Sequence, residues 1–187
     1  MSVTSSSQKI QIESSEHVSA EILMPEKAKA IYVFAHGAGA GMNHIFMVEL
    51  AQTLTQHRIA TLRFNFLYME QKKKRPDFPP VAHKVVAAAI IKAKEFFPEL
   101  LLYAGGKSFG GRMTSQYLSN QELPEVKGII FVGFPLHPAG KPSIDRADHL
   151  HKMKIPMLFL QGTKDTLAEL NLIEGVCASL PTATLVK

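Results

Sequence analysis

Three glycine-rich turns in this chain carry residues suited to acyl-transfer chemistry. The first, Gly106-Lys107-Ser108-Phe109-Gly110, has the pattern G-x-S-x-G. It follows the apolar run Leu100–Ala104 and precedes a helical stretch, so a strand-to-helix turn would hold the Ser108 hydroxyl clear of the backbone as a nucleophile. Glycines on either side keep side chains from colliding in such a turn. The helix N-terminus behind Ser108 favours developing negative charge. The plainer alternative is a turn needed only for close helix–strand packing. A phosphate-binding loop fails on spacing, because its first glycine would fall at position 101, which is Leu.

The second turn, His36-Gly37-Ala38-Gly39-Ala40-Gly41, follows the apolar run Ala30–Ala35. Small residues there let the backbone present N–H groups, one of which would serve an oxyanion hole. The other donor would be the amide after the nucleophile, that of Phe109. His36, Gly37, Gly39 and His44 are the candidate substrate contacts. A dinucleotide fingerprint is disfavoured: Met42 stands where its third glycine belongs, and Arg63-Phe64-Asn65 ends the next strand without an acid. The third turn, Gln161-Gly162-Thr163-Lys164-Asp165, follows Pro156–Leu160. Asp165 there would orient an imidazole or cap a helix beginning at Thr166.

The order Ser108 then Asp165 matches nucleophile and acid in α/β-hydrolases, where the base comes last. The histidines are His17, His36, His44, His57, His83, His137, His149 and His151, and none follows Asp165. The loop expected to carry the base has no counterpart before Lys187.

The elements that must position these turns are buried strands alternating with helices. Ala30–Ala35 is a continuous apolar run; Ile59–Phe64, Leu100–Ala104, Val126–Val132 and Pro156–Leu160 read the same way, and Thr184–Val186 begins another. Helices are expected over Ile45–Gln56, Val81–Phe97, Gly110–Asn120 and Leu167–Leu180. Such alternation predicts parallel βαβ units in a doubly wound sheet with helices on both faces. Ile10–Met24 alternates loosely, as in an antiparallel edge hairpin. Phe66–Pro80, with Lys72, Lys73, Lys74 and Arg75, reads as a solvated loop. Leu136–Lys154 reads as a loop plus a short helix over the sheet edge.

Composition agrees with one domain over residues 1–187. Its 187 residues are 46% hydrophobic and 20% charged, which excludes a disordered tail, a collagen-like repeat and a disulfide-stapled miniprotein. A net charge of +5, from 21 Lys and Arg against 16 Asp and Glu, gives no concentrated element for nucleic acid. The single Cys177 fits a reducing compartment. With no signal peptide or membrane span in view, the expectation is a cytoplasmic protein. A monomer or homodimer is expected.

The stretches VFAHGAGAGMNH (Val33–His44), LRFNF (Leu62–Phe66), RPD (Arg75–Asp77), LYAGGKSFGGRM (Leu102–Met113), GFPLHP (Gly133–Pro138) and FLQGTKD (Phe159–Asp165) together resemble a small α/β-hydrolase. They are most similar to the Tex-type α/β-hydrolase-like proteins, a branch related to dienelactone hydrolase. The resemblance implies Ser108 as nucleophile, Asp165 as acid, and oxyanion amides near Ala38 and Phe109. It implies no metal or organic cofactor. Leu67 stands where the family often has Pro, and the family's catalytic His is missing. The expected activity is hydrolysis of a small ester or thioester; the alternative is a non-catalytic binding or scaffold protein that keeps the fold.

Overall fold

The computed structural model describes residues 2–13 and 15–187. Among them eight strands form one sheet: β1 (Val3–Glu13), β2 (Glu16–Pro25), β3 (Ala30–Ala35), β4 (Ile59–Phe64), β5 (Leu101–Lys107), β6 (Val126–Val132), β7 (Met157–Leu160) and β8 (Ala183–Val186). Their order is β1-β2-β4-β3-β5-β6-β7-β8. The first two strands pair antiparallel with each other, and β2 pairs antiparallel with β4. All other neighbours are parallel. The chain reverses direction across the sheet around β3, so the turns after β3 and β5 open side by side.

Strand β3, AIYVFA, is buried at every position, as a strand covered on both faces must be. Its residues divide by side-chain alternation. Tyr32 and Phe34 pack with Met47 of α1 (Ile45–Gln56). Ile31, Val33 and Ala35 join the larger core. That core holds the buried faces of α3 (Pro79–Phe96), α4 (Phe109–Leu118) and α5 (Leu170–Ser179). Helices therefore lie on both faces, with α1 covering one and the other three covering the opposite one. A ring cluster of Phe131, Phe134 and Phe159 anchors β6 to β7, with centroids 4.5 to 5.9 Å apart.

The apolar strands fall where their runs predict. The hairpin is longer than expected because β1 starts at Val3, in a Ser-rich stretch. Val3–Ser7 is exposed, so its strand state comes from backbone pairing with β2 and leaves no hydrophobic signal. Phe66–Pro80 is not loop throughout: it contains α2 (Leu67–Glu70). The Glu70 carboxylate accepts from Ser19 N–H and Asn65 Nδ2, at 3.0 and 2.8 Å, and docks α2 against β2. Lys72 to Arg75 are exposed as expected. The short helix in Leu136–Lys154 is a 3-10 helix, Asp145–Lys152. It rests on α4 rather than over the sheet edge, joined by His149 Nε2 and Ser115 Oγ at 2.7 Å. Among the described residues no helix is long and apolar enough to cross a membrane.

Candidate active site

Ser108 sits between β5 and α4 with φ 47° and ψ −113°, one of few non-glycine residues at positive φ. This conformation costs about 1–3 kcal/mol and persists only where the surroundings impose it. They do so here. Ser108 N–H donates to Val132 O at 3.1 Å, and Ser108 C=O accepts the Arg112 N–H of α4 at 3.1 Å. Close packing against β3 explains the flanking glycines. A Cβ on Gly106 would lie 2.3 Å from Ala35 O, and one on Gly110 would lie 2.5 Å from His36 O.

The strain gives a stability prediction. Ser108→Gly, free to adopt this φ, should gain about 1–2 kcal/mol and raise Tm by about 2–8 °C. Ser108→Ala keeps the strained backbone and should not gain. Calorimetry of the two variants decides; equal melting points would mean that the turn is unstrained.

The turn after β3 lies against Ser108: a Cβ on Gly37 would be 3.7 Å from Ser108 Cβ. Two buried groups orient it. Gly37 C=O faces inward, with His36 Nδ1 at 2.8 Å and the Tyr68 hydroxyl donating to it at 3.5 Å. In a planar trans peptide the N–H points opposite to the C=O, so the Ala38 N–H turns away from these groups. Among the described residues neither the Ala38 nor the Phe109 N–H has a backbone acceptor. Both residues line one cleft with Ser108, about 410 Å³ in volume.

His36 is committed to this loop. Its ring is fully buried, and Nε2 accepts the Phe66 N–H at 3.0 Å, which fixes the Nδ1–H tautomer. Burial holds its pKa down to about 4, against a smaller opposing effect of the Gly37 carbonyl. His44 is exposed and caps α1 by accepting the Phe46 N–H at 3.3 Å. Gly39 takes φ 77° at the tip of the turn. Further support comes from residues that sequence reasoning passed over. Arg63 donates to Met42 O at 2.8 Å, and Asn65 Oδ1 accepts the Met42 N–H at 2.9 Å. The signal was present: a buried strand ending in Arg and Asn needs polar partners, and a nearby loop supplies them.

Asp165 follows β7 at the same end of the sheet, beside Gly133, where a Cβ would lie 3.6 Å from Asp165 Oδ2. Oδ1 accepts the Leu167 N–H at 2.9 Å, and Oδ2 accepts from Gln161 Nε2 at 2.8 Å. Gln161, buried, also accepts the Phe134 N–H at 2.8 Å through Oε1, and so ties Asp165 to the turn after β6. Helix α5 begins only at Leu170, with Glu169 at its N-cap, so Asp165 is not that helix's cap.

Among the described residues no histidine lines the Ser108 cleft. His137 is buried, with Nδ1 2.9 Å from Pro138 O and Nε2 2.9 Å from Glu169 Oε2. His149 is bound to Ser115 and is held at a pKa of about 4, by burial first and then by Arg112, His83 and Lys152. No group of three or more His, Cys, Asp or Glu side chains is placed to hold a metal among the described residues.

Comparison with known proteins matches the fold. The chain superposes on an alpha-beta serine hydrolase homologue from Coxiella burnetii with TM-score 0.77 and 19% identity, over 97% of this chain and 86% of that one. It superposes on dienelactone hydrolase from Anabaena variabilis with TM-score 0.78 and 20% identity, over 98% and 85%. At these identities the likeness is one of fold. A Mycobacterium tuberculosis protein named "Putative phosphoribosyl transferase" is 38% identical over 60 residues, 32% of this chain and 14% of that protein's length. The model of the alpha/beta hydrolase domain matches residues 28–186, and the chain belongs to this family.

Proposed function

We propose that the chain carries the acyl-transfer machinery of a serine hydrolase acting on a small ester or thioester. Ser108 Oγ attacks the carbonyl carbon while its proton passes to an imidazole, a base that none of the described residues brings to the cleft. The amides of Phe109 and Ala38 receive the oxyanion, a contribution of about 3 kcal/mol per donor. Collapse breaks the bond to the alcohol or thiol, which leaves with the proton, and water then hydrolyses the acyl-serine. Asp165, with Gln161 holding one oxygen, orients the imidazole. What supports this reading most is Ser108 in its strained turn, sharing a cleft with two backbone N–H groups that have no backbone acceptor among the described residues.

A second reading, a binding protein that keeps the hydrolase fold, is favoured by the commitments of His36 to Phe66 N–H, His137 to Pro138 O and His149 to Ser115. A single set of assays separates the two. With imidazole added to supply the base, a fluorophosphonate probe should label Ser108 and leave Ser108→Ala unlabelled. Added imidazole should raise p-nitrophenyl acetate turnover about 10²-fold above the Ser108→Ala control, the usual worth of a general base. No labelling together with turnover equal to that of the variant would leave the binding reading.

A further inference from the structure

The Ser108 cleft is unusually cationic. Arg75, Arg112 and Arg146 all line it, and the carboxylate among its lining residues is that of Asp77. Among the described residues none of the three arginines pairs with a carboxylate. Asp77 is already engaged, its Oδ2 accepting the Tyr68 N–H at 3.1 Å. The arginines come from three separate segments: the loop before α3, the first turns of α4, and the 3-10 helix. Arg112 Nε is buried without a hydrogen-bond partner. Burial first and the nearby Arg146 second lower the Arg112 pKa, so the folded chain holds two guanidinium groups close together at a cost. Arg75 lies 4.8 Å over the Phe78 ring, and both residues line the cleft.

Such a cluster is relieved by an anion. Three guanidinium groups against one carboxylate leave two positive charges in excess, which a carboxylate balances by half. A phosphate monoester carries about −1.5 to −2 at neutral pH and offers three acceptor oxygens, and guanidinium forks bind it in bidentate fashion. Resting on the reading of Ser108 as nucleophile, we propose that the substrate is an ester or thioester bearing a phosphate group, with that phosphate held by Arg112 and Arg146 and approached by Arg75. The apolar part of the wall, with Met113, Pro135 and Leu167, receives the remainder of the molecule.

The test is equilibrium binding, which needs no catalytic base. Phenyl phosphate, benzoate and benzyl alcohol share a ring and differ in charge, and each is titrated into the protein by NMR. Phenyl phosphate should bind at least about tenfold more tightly than benzyl alcohol and more tightly than benzoate. Arg112→Met and Arg146→Met should each weaken it by about tenfold or more, and added salt should weaken it in the native protein. Arg146→Met and Arg75→Met keep the test decisive if Arg112→Met does not fold. Equal binding of phenyl phosphate and benzyl alcohol, or binding indifferent to the arginines, overturns the proposal. Benzoate as tight as phenyl phosphate overturns the choice of phosphate. Fluorophosphonate labelling of parallel samples, with imidazole added as the base, is read alongside. Arginine-dependent phosphate binding without labelling refutes the nucleophile and keeps the anion site. Labelling without such binding refutes the anion site alone.

Discussion

Gly106→Ala should unfold the protein or destabilise it by about 4 kcal/mol or more, the range reserved for a clash that nothing can relax. The new Cβ would sit 2.3 Å from Ala35 O and 2.9 Å from Ala35 Cβ. Both partners belong to the backbone and root of β3, which pairs with β4 on one side and β5 on the other. Moving Ala35 would break a ladder at the centre of the sheet and displace the loop bearing Ala38. A close-packed interior offers no slack for this. Gly162→Ala is the control: it lies in the Asp165 turn, and a Cβ there meets nothing within 4 Å. Its melting temperature should stay within a degree or two of the native value, about 0.5 kcal/mol at most. Chemical denaturation of both variants decides; a Gly106→Ala protein as stable as the native one would show that β3 and β5 do not approach closely.

The second large effect is acid sensitivity. His36 titrates at about 4 in the folded protein, against about 6.5 unfolded. The unfolded chain therefore takes up a proton first as pH falls. Stability is fully present above pH 6.5, declines between 6.5 and 4, and levels below that, because stability rises with pH wherever the unfolded state binds more protons. For His36 alone the loss is about 3 kcal/mol across that window. His149, also held at about 4, pulls in the same direction. Thermal melts between pH 7.5 and 5 should show Tm falling, ahead of the carboxylate titrations. His36→Gln should start less stable, because Phe66 N–H and Gly37 C=O lose their partner, and should decline less steeply by about one proton's worth. A melting temperature flat over this range would show that His36 is hydrated or charged in the folded state.

The strands around the site were readable because burial on both faces leaves an apolar run, continuous in Ala30–Ala35 and interrupted only by Thr61 and Arg63 in Ile59–Phe64 and by Lys127 in Val126–Val132. The Ser108 turn was readable because its geometry demands glycines at fixed offsets. Elements stabilised by pairing or by polar contacts left no such mark. The start of β1 is polar and exposed, and α2 is a single turn docked through Glu70. Among the supports of the site, Arg63 and Asn65 betrayed only a need for polar partners, while those partners, and the roles of Tyr68 and Gln161, were hidden because each reaches a loop made by a distant segment.

The histidines mark the boundary most clearly. In the sequence His36 stood beside the oxyanion turn as a candidate substrate contact, along with Gly37, Gly39 and His44. In the folded chain its two ring nitrogens serve Gly37 C=O and Phe66 N–H, and the ring is buried. The sequence alone determined the alternation of strands and helices, and the positions of Ser108, Ala38 and Asp165 at the ends of three strands, because local periodicity and turn stereochemistry act over a few residues. Only the tertiary structure decided which way each side chain and amide faces, and so brought Arg75, Arg112 and Arg146 around one cleft. Orientation and charge clustering depend on contacts between segments tens of residues apart, which no local pattern encodes.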